Sequence, residues 1–127
     1  MALMIDGNHL TIDEVVRVAK GQETVALTEE AKARVQKARD YVDRKLAEGA
    51  VIYGLTTGFG KFSDVLISAD ETKDLQRNLI ISHSCAMGNP LPPEVSRAAM
   101  LLRCNALSKG YSGIRLSTIE TLLAMLN

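Results

Sequence analysis

Cysteine is scarce in this sequence: of 127 residues only Cys85 and Cys104 carry a thiol, outside any C-x-x-C spacing, and no apolar leader segment precedes the first structured stretch. A reduced, cytoplasmic setting is expected. Histidine is as rare, with His9 and His83 alone, and two histidines with two scattered cysteines make a poor zinc site, so no metal is expected. An excess charge of one sign is missing as well, since the formal net charge is +0, and no basic stripe offers a face to nucleic acid or to an anionic membrane. Long hydrophobic runs are absent, because charge or glycine interrupts each of them, so no segment is expected to span a bilayer. Nucleotide fingerprints fail too: Gly54, Gly58, Gly60 and Lys61 miss the P-loop spacing, Phe62 stands where Ser or Thr is required, and no G-x-G-x-x-G occurs. No G-x-S-x-G nucleophile signature is present.

What remains is an ordinary globular composition, 46% hydrophobic and 24% charged, with length enough for one domain and its core. The pattern is mainly α, with short β segments near the N-terminus, and residues 1–127 read as a single domain. Residues 1–10 suggest a small strand pair or an extended arm around the Asp6-Gly7-Asn8 turn, with His9 on the surface. Thr11-x-x-Glu14 is a capping box, with Leu10 and Val15 placed as its staple, and predicts a helix over residues 12–20 ended by Gly21. Residues 24–27 are β-prone. Thr28 caps a helix whose stripe is Ala31, Val35, Ala38, Val42 and Leu46, with Glu30–Arg34 and Asp40–Arg44 on the solvated faces, and Gly49 closes it.

Ser68-x-x-Glu71 predicts a helix over residues 69–86, stopping at Gly88, on which Leu75, Leu79 and His83 fall at four-residue steps. Pro93 opens a helix over 94–109 that is apolar almost all round and therefore needs several neighbours, while Arg97, Arg103 and Asn105 are expected to pair at helix junctions. Ser117-x-x-Glu120 predicts a last apolar helix. It runs to Asn127 without a stop signal, so the chain is expected to be the N-terminal piece of a larger helical protein.

Residues 51–62 carry three glycines, two threonines and Tyr53 between two helices. A tyrosine in such a shaped loop has a phenol that core packing does not call for, which makes Tyr53 the first candidate for chemistry. His83 has two readings, a partly buried histidine bonded to a backbone carbonyl or a ligand-facing imidazole lining the same cavity as Tyr53.

The blocks Tyr53-Gly54-Leu55-Thr56-Thr57-Gly58-Phe59-Gly60, Leu75-Gln76-Arg77-Asn78-Leu79-Ile80-Ile81-Ser82-His83, Pro90-Leu91-Pro92, Arg97-Ala98-Ala99-Met100-Leu101-Leu102-Arg103 and Lys109-Gly110-Tyr111-Ser112-Gly113 stand in this order. In them the chain resembles the N-terminal region of the histidine ammonia-lyases, within the aromatic amino-acid ammonia-lyase family. The resemblance implies a mainly α-helical fold, a homotetramer, and elimination of ammonia from L-histidine to give trans-urocanate in histidine catabolism. It implies Tyr53 as the catalytic base at the substrate's β-carbon and His83 as the substrate-binding contact to the imidazole. A phenol, with an ordinary pKa near ~10, must be activated by its surroundings to act so near neutral pH. The cofactor implied is 4-methylidene-imidazol-5-one, formed from an Ala-Ser-Gly triad. Residues 1–127 contain no such triad, so none forms here and this piece alone is expected to be inactive. Two alternatives stand beside this: a tyrosine or phenylalanine ammonia-lyase or aminomutase, and, for the piece alone, a non-catalytic helical module that docks on other helices.

Overall fold

The computed structural model describes residues 2–58, 60 and 69–127, and of residues 69–73 the backbone alone. Its elements run β1 (Leu3–Ile5), α1 (Ile12–Ala19), β2 (Val25–Leu27), α2 (Glu29–Ala47), α3 (Ala69–His83), α4 (Pro93–Leu107) and α5 (Leu116–Leu126). The chain divides into two compact units, residues 1–42 with 90–127 and residues 43–89, so that α2 contributes to both.

In the first unit β1 and β2 pair in parallel, Leu3 opposite Val25 and Ile5 opposite Leu27. Parallel strands need a long crossover, and α1 provides it. That helix starts on the capping box read from the sequence: the Glu14 N–H donates to Thr11 Oγ1, and the Thr11 N–H to Glu14 Oε2 at 2.8 Å. Leu10 and Val15, the staple pair, both lie against the core. The helix ends in a Schellman motif, with the Gln22 N–H bonded to the Arg17 carbonyl and the Gly21 N–H to that of Val18. Thr28 caps α2 by accepting the Ala31 N–H at 3.1 Å. Of the predicted α2 stripe, Ala31 and Val35 are buried and Ala38, Val42 and Leu46 half-buried.

The core of this unit is Ile5, Val18, Val25, Leu27, Ala31, Val35, Leu101, Cys104, Ile119, Leu123 and Leu126. The helix α4 packs against both α1 and α5, which answers the need for several neighbours, although Leu102 keeps an exposed face. Pro93 occupies its first turn as expected. The predicted junction pairings appear at two residues. Arg97 Nε donates to the carbonyls of Val18 and Ala19 at 3.2 and 3.1 Å, and its Nη2 to that of Val18 at 3.0 Å. Asn105 Oδ1 accepts the Gly7 N–H at 2.9 Å. Arg34, read from the sequence as part of a solvated face, instead donates to the Asp6 carbonyl at 2.6 Å.

Two boundaries differ from expectation. The helix α5 begins at Leu116 with Arg115 as its N-cap and no side-chain cap bond, so Ser117 lies inside the first turn and cannot cap it. Leu116 packs against the core, and that burial sets the helix start over the capping box. The Ser68 box lies outside the described residues. In the second unit α3 stops at His83, three residues short of the predicted end. There the side chains of Ser82 and His83 turn back to the Leu79 carbonyl, and Ser84 Oγ donates to that of Ile80 at 2.6 Å. Such local bonds compete with the helix ladder. Among the described residues no helix is long and apolar enough to cross a membrane.

Candidate active-site residues and family membership

Both residues singled out for chemistry, Tyr53 and His83, belong to the second unit. The chain reaches Tyr53 through a second Schellman motif: the Ala50 N–H bonds to the Lys45 carbonyl, the Gly49 N–H to that of Leu46, and Gly49 takes φ +73°. A tight turn follows, in which the Leu55 and Thr56 N–H groups both donate to the Ile52 carbonyl at 3.0 Å and Gly54 takes φ +72°. Two threonines brace it. Thr56 Oγ1 accepts the Ile52 N–H at 2.8 Å and lies 3.3 Å from the Ala50 carbonyl. Thr57, buried at 3% exposure, accepts the Gly54 N–H at 3.2 Å and donates to the Gly58 carbonyl at 3.0 Å. Four backbone N–H groups, of Ile52, Gly54, Leu55 and Thr56, are thereby bonded inside the turn, and Tyr53 stands outward at 64% exposure. Its hydroxyl oxygen accepts the Gly60 N–H at 3.3 Å.

His83 is the last residue of α3 and is exposed rather than partly buried, because it stands at the open end of the helix. Its Nδ1 lies 2.9 Å from the Leu79 carbonyl oxygen and 3.0 Å from Ser82 Oγ. The carbonyl-bonded reading therefore describes one ring nitrogen. It leaves the other, Nε2, available for the ligand-facing reading, so the two are compatible. A cavity of about 170 Å³ in the first unit, lined by Asn8, Arg34, Lys109 and Tyr111, contains neither residue.

The sequence model of the aromatic amino acid lyases matches residues 10–127, nearly the whole chain. The chain belongs to the aromatic amino acid lyase family.

Its similarity within this lyase family is uneven. A histidine ammonia-lyase of Caldanaerobacter subterraneus subsp. tengcongensis is 61% identical over 98% of this chain and 25% of its own length. One of Bacillus velezensis is 52% identical over 97% of this chain and 24% of its own. The chain thus spans about a quarter of the length of the curated relatives it matches. Among solved structures, histidine ammonia-lyase from Trypanosoma cruzi superposes with a TM-score of 0.89 at 37% identity, covering 99% of this chain and 24% of that one. The ergothioneine-degrading ergothionase of Treponema denticola does so at 0.94 and 33% identity, over 100% of this chain and 26% of that one. The fold is the helical ammonia-lyase fold.

Sequence reasoning named the lyase loop and its tyrosine but gave no work to Thr56, Thr57 or Ser82. A signal existed for each: hydroxyl side chains beside glycines, or at a helix end, bond back to nearby backbone.

Proposed function

We propose that this chain is the N-terminal part of a histidine ammonia-lyase, which removes ammonia from L-histidine to give trans-urocanate. The observation that carries the reading is the identity to proteins of that name, 61%, 58% and 55% over 97% or more of this chain. A cytoplasmic homotetramer, and a single domain formed by residues 1–127 within it, complete the reading.

In this reading Tyr53 takes the proton from the substrate's β-carbon while the amine leaves the adjacent carbon, and His83 holds the imidazole. Elimination needs the base within hydrogen-bond reach of that proton. The threonine-braced turn supplies a fixed starting point for the phenol, and the Gly60 N–H positions its oxygen. The family's electrophile, 4-methylidene-imidazol-5-one, has no Ala-Ser-Gly precursor in residues 1–127, so it cannot form from this chain's own residues. Purified by itself the chain is expected to form no urocanate, and urocanate from it would overturn that expectation. In the full-length protein Tyr53→Phe lowers kcat by about 10²- to 10⁴-fold. An unchanged kcat removes Tyr53 from the base role.

A second reading, an enzyme acting on tyrosine, draws on the tyrosine aminomutase of Streptomyces globisporus, whose TM-score is 0.90. Its 33% identity ranks it below the first.

A further inference from the structure

We infer that Ser82 and the Leu79 carbonyl fix the tautomer of His83, so that Nε2 serves as a hydrogen-bond acceptor and selects a substrate ring bearing an N–H or O–H donor. The inference rests on the proposed role of His83 as the substrate's ring contact, and it makes Ser82 a positioning residue.

Three polar atoms form a triangle at the end of α3. Leu79 O lies 3.0 Å from Ser82 Oγ and 2.9 Å from His83 Nδ1, and Ser82 Oγ and Nδ1 are 3.0 Å apart. A carbonyl oxygen can only accept. Both of its neighbours must therefore present a hydrogen to it: Ser82 its hydroxyl proton, His83 its Nδ1–H. The reverse assignment, a bare Nδ1 accepting from Ser82, sets the Nδ1 lone pair against the carbonyl lone pairs at 2.9 Å. With the first assignment the serine oxygen also faces the Nδ1–H, and the neutral ring has its hydrogen on Nδ1. In a neutral imidazole the nitrogen without hydrogen is an acceptor, and the bond made by one nitrogen sets the role of the other.

The consequence concerns substrate chemistry. An Nε2 acceptor pairs with the N–H of a substrate imidazole or the O–H of a phenol. An imidazole whose N–H is methylated offers it nothing, and once a bound substrate shuts water out, an acceptor left without a donor is costly. The opposite tautomer would invert this preference and favour the bare nitrogen of the substrate ring.

The test uses two readouts. Nitrogen-15 resonance of the histidine-labelled chain, above the ordinary imidazole titration range near 6.5, reports the tautomer directly. The chain has only His9 and His83, and His9, bonded through Nδ1 to Asp6 Oδ2 at 2.6 Å, is an internal control. His83 is expected as the Nδ1–H form. Ser82→Ala is expected to move its tautomer ratio toward Nε2–H by roughly two- to ten-fold, the worth of one hydrogen bond, and Ser82→Thr to restore it. An Nε2–H form in the parent chain, or a ratio indifferent to Ser82→Ala, overturns the inference. In the full-length enzyme Ser82→Ala is expected to raise KM for histidine with kcat less affected, with rescue by Ser82→Thr. If KM rises for His83→Leu and not for Ser82→Ala, the inference fails and the reading of His83 stands. If neither moves KM, the reading of His83 fails and takes the selectivity claim with it.

Discussion

Replacing Arg97 by alanine tests how α4 is fastened to α1. The last carbonyls of α1 lack partners within their own helix, and the negative end of the helix dipole favours a cation there. Arg97 meets both needs: Nε reaches the carbonyls of Val18 and Ala19, and Nη2 reaches Val18 again. A hydrogen bond to a charged group contributes about 1.5 to 3 kcal/mol. Full loss of two is an upper bound, because the Val18 carbonyl keeps the Gly21 N–H at 3.0 Å after truncation. The Ala19 carbonyl, in a residue only 8% exposed, is the group left in need. A cost of about 2 to 3 kcal/mol is expected. With a urea slope of about 1 to 3 kcal/mol per molar, the unfolding midpoint falls by roughly 0.7 to 3 M at an unchanged slope. Arg97→Lys keeps the charge, and with it about 0.3 to 1 kcal/mol of dipole interaction, but loses the fork, so its midpoint lies between the two. Equilibrium urea unfolding followed by circular dichroism reads all three. An alanine variant within about 0.3 M of the parent would refute the assignment, since surface substitutions ordinarily cost no more than about 0.5 kcal/mol.

Gly110→Ala is expected to destabilise the chain by more than about 2 kcal/mol, because φ is +76° and the new Cβ would lie 2.8 Å from the Arg34 carbonyl oxygen. Gly49→Ala shares the positive φ, +73°, but meets nothing within 4 Å, so its cost stays near the backbone term of about 1 to 2 kcal/mol; equal thermal shifts for the two would contradict the packing argument. Cys104 is fully buried and burial pushes its thiol up, whereas Cys85 is exposed. A thiol reagent should label Cys85 in the folded chain and Cys104 only on unfolding, and rapid labelling of both would refute this. The Asn8 N–H, then the His9 imidazole, hold the Asp6 carboxyl down from 3.8 to about 2. A carboxylate lowered in the folded state contributes stability that is full above its ordinary value and lost as pH falls through the folded one. Urea midpoints should therefore fall more for the parent than for Asp6→Asn between about pH 4 and 2, and parallel curves would remove Asp6 from the acid response.

Features whose partners lie close in sequence were legible: the Thr11 box, the Thr28 cap, and the glycines at 21 and 49 each act within a few residues. The misplaced start of α5 shows where such reading ends, since the burial of Leu116 against distant residues outweighs a local cap at Ser117. Long-range polar bonds were not legible. Arg97 and Asn105 could be marked as needing partners, but Val18, Ala19 and Gly7 lie 78 or more residues away. Asn127 is a sharper case: its carboxamide accepts the Val25 N–H at 2.8 Å and donates to the Val25 carbonyl at 2.9 Å, extending the edge of β2 as a strand would. At the candidate site the tyrosine loop announced itself by its glycines. The link from His83 to Leu79 follows the four-residue step already visible in the sequence, yet its meaning, a choice of tautomer, needed the positions of three atoms.

Histidine as substrate is tested by the ultraviolet absorbance of urocanate formed from L-histidine by the full-length protein carrying this chain, with L-tyrosine run alongside. Product is expected from histidine and none from tyrosine. Silence on histidine with product from tyrosine would contradict this, and His83 would then face a phenol.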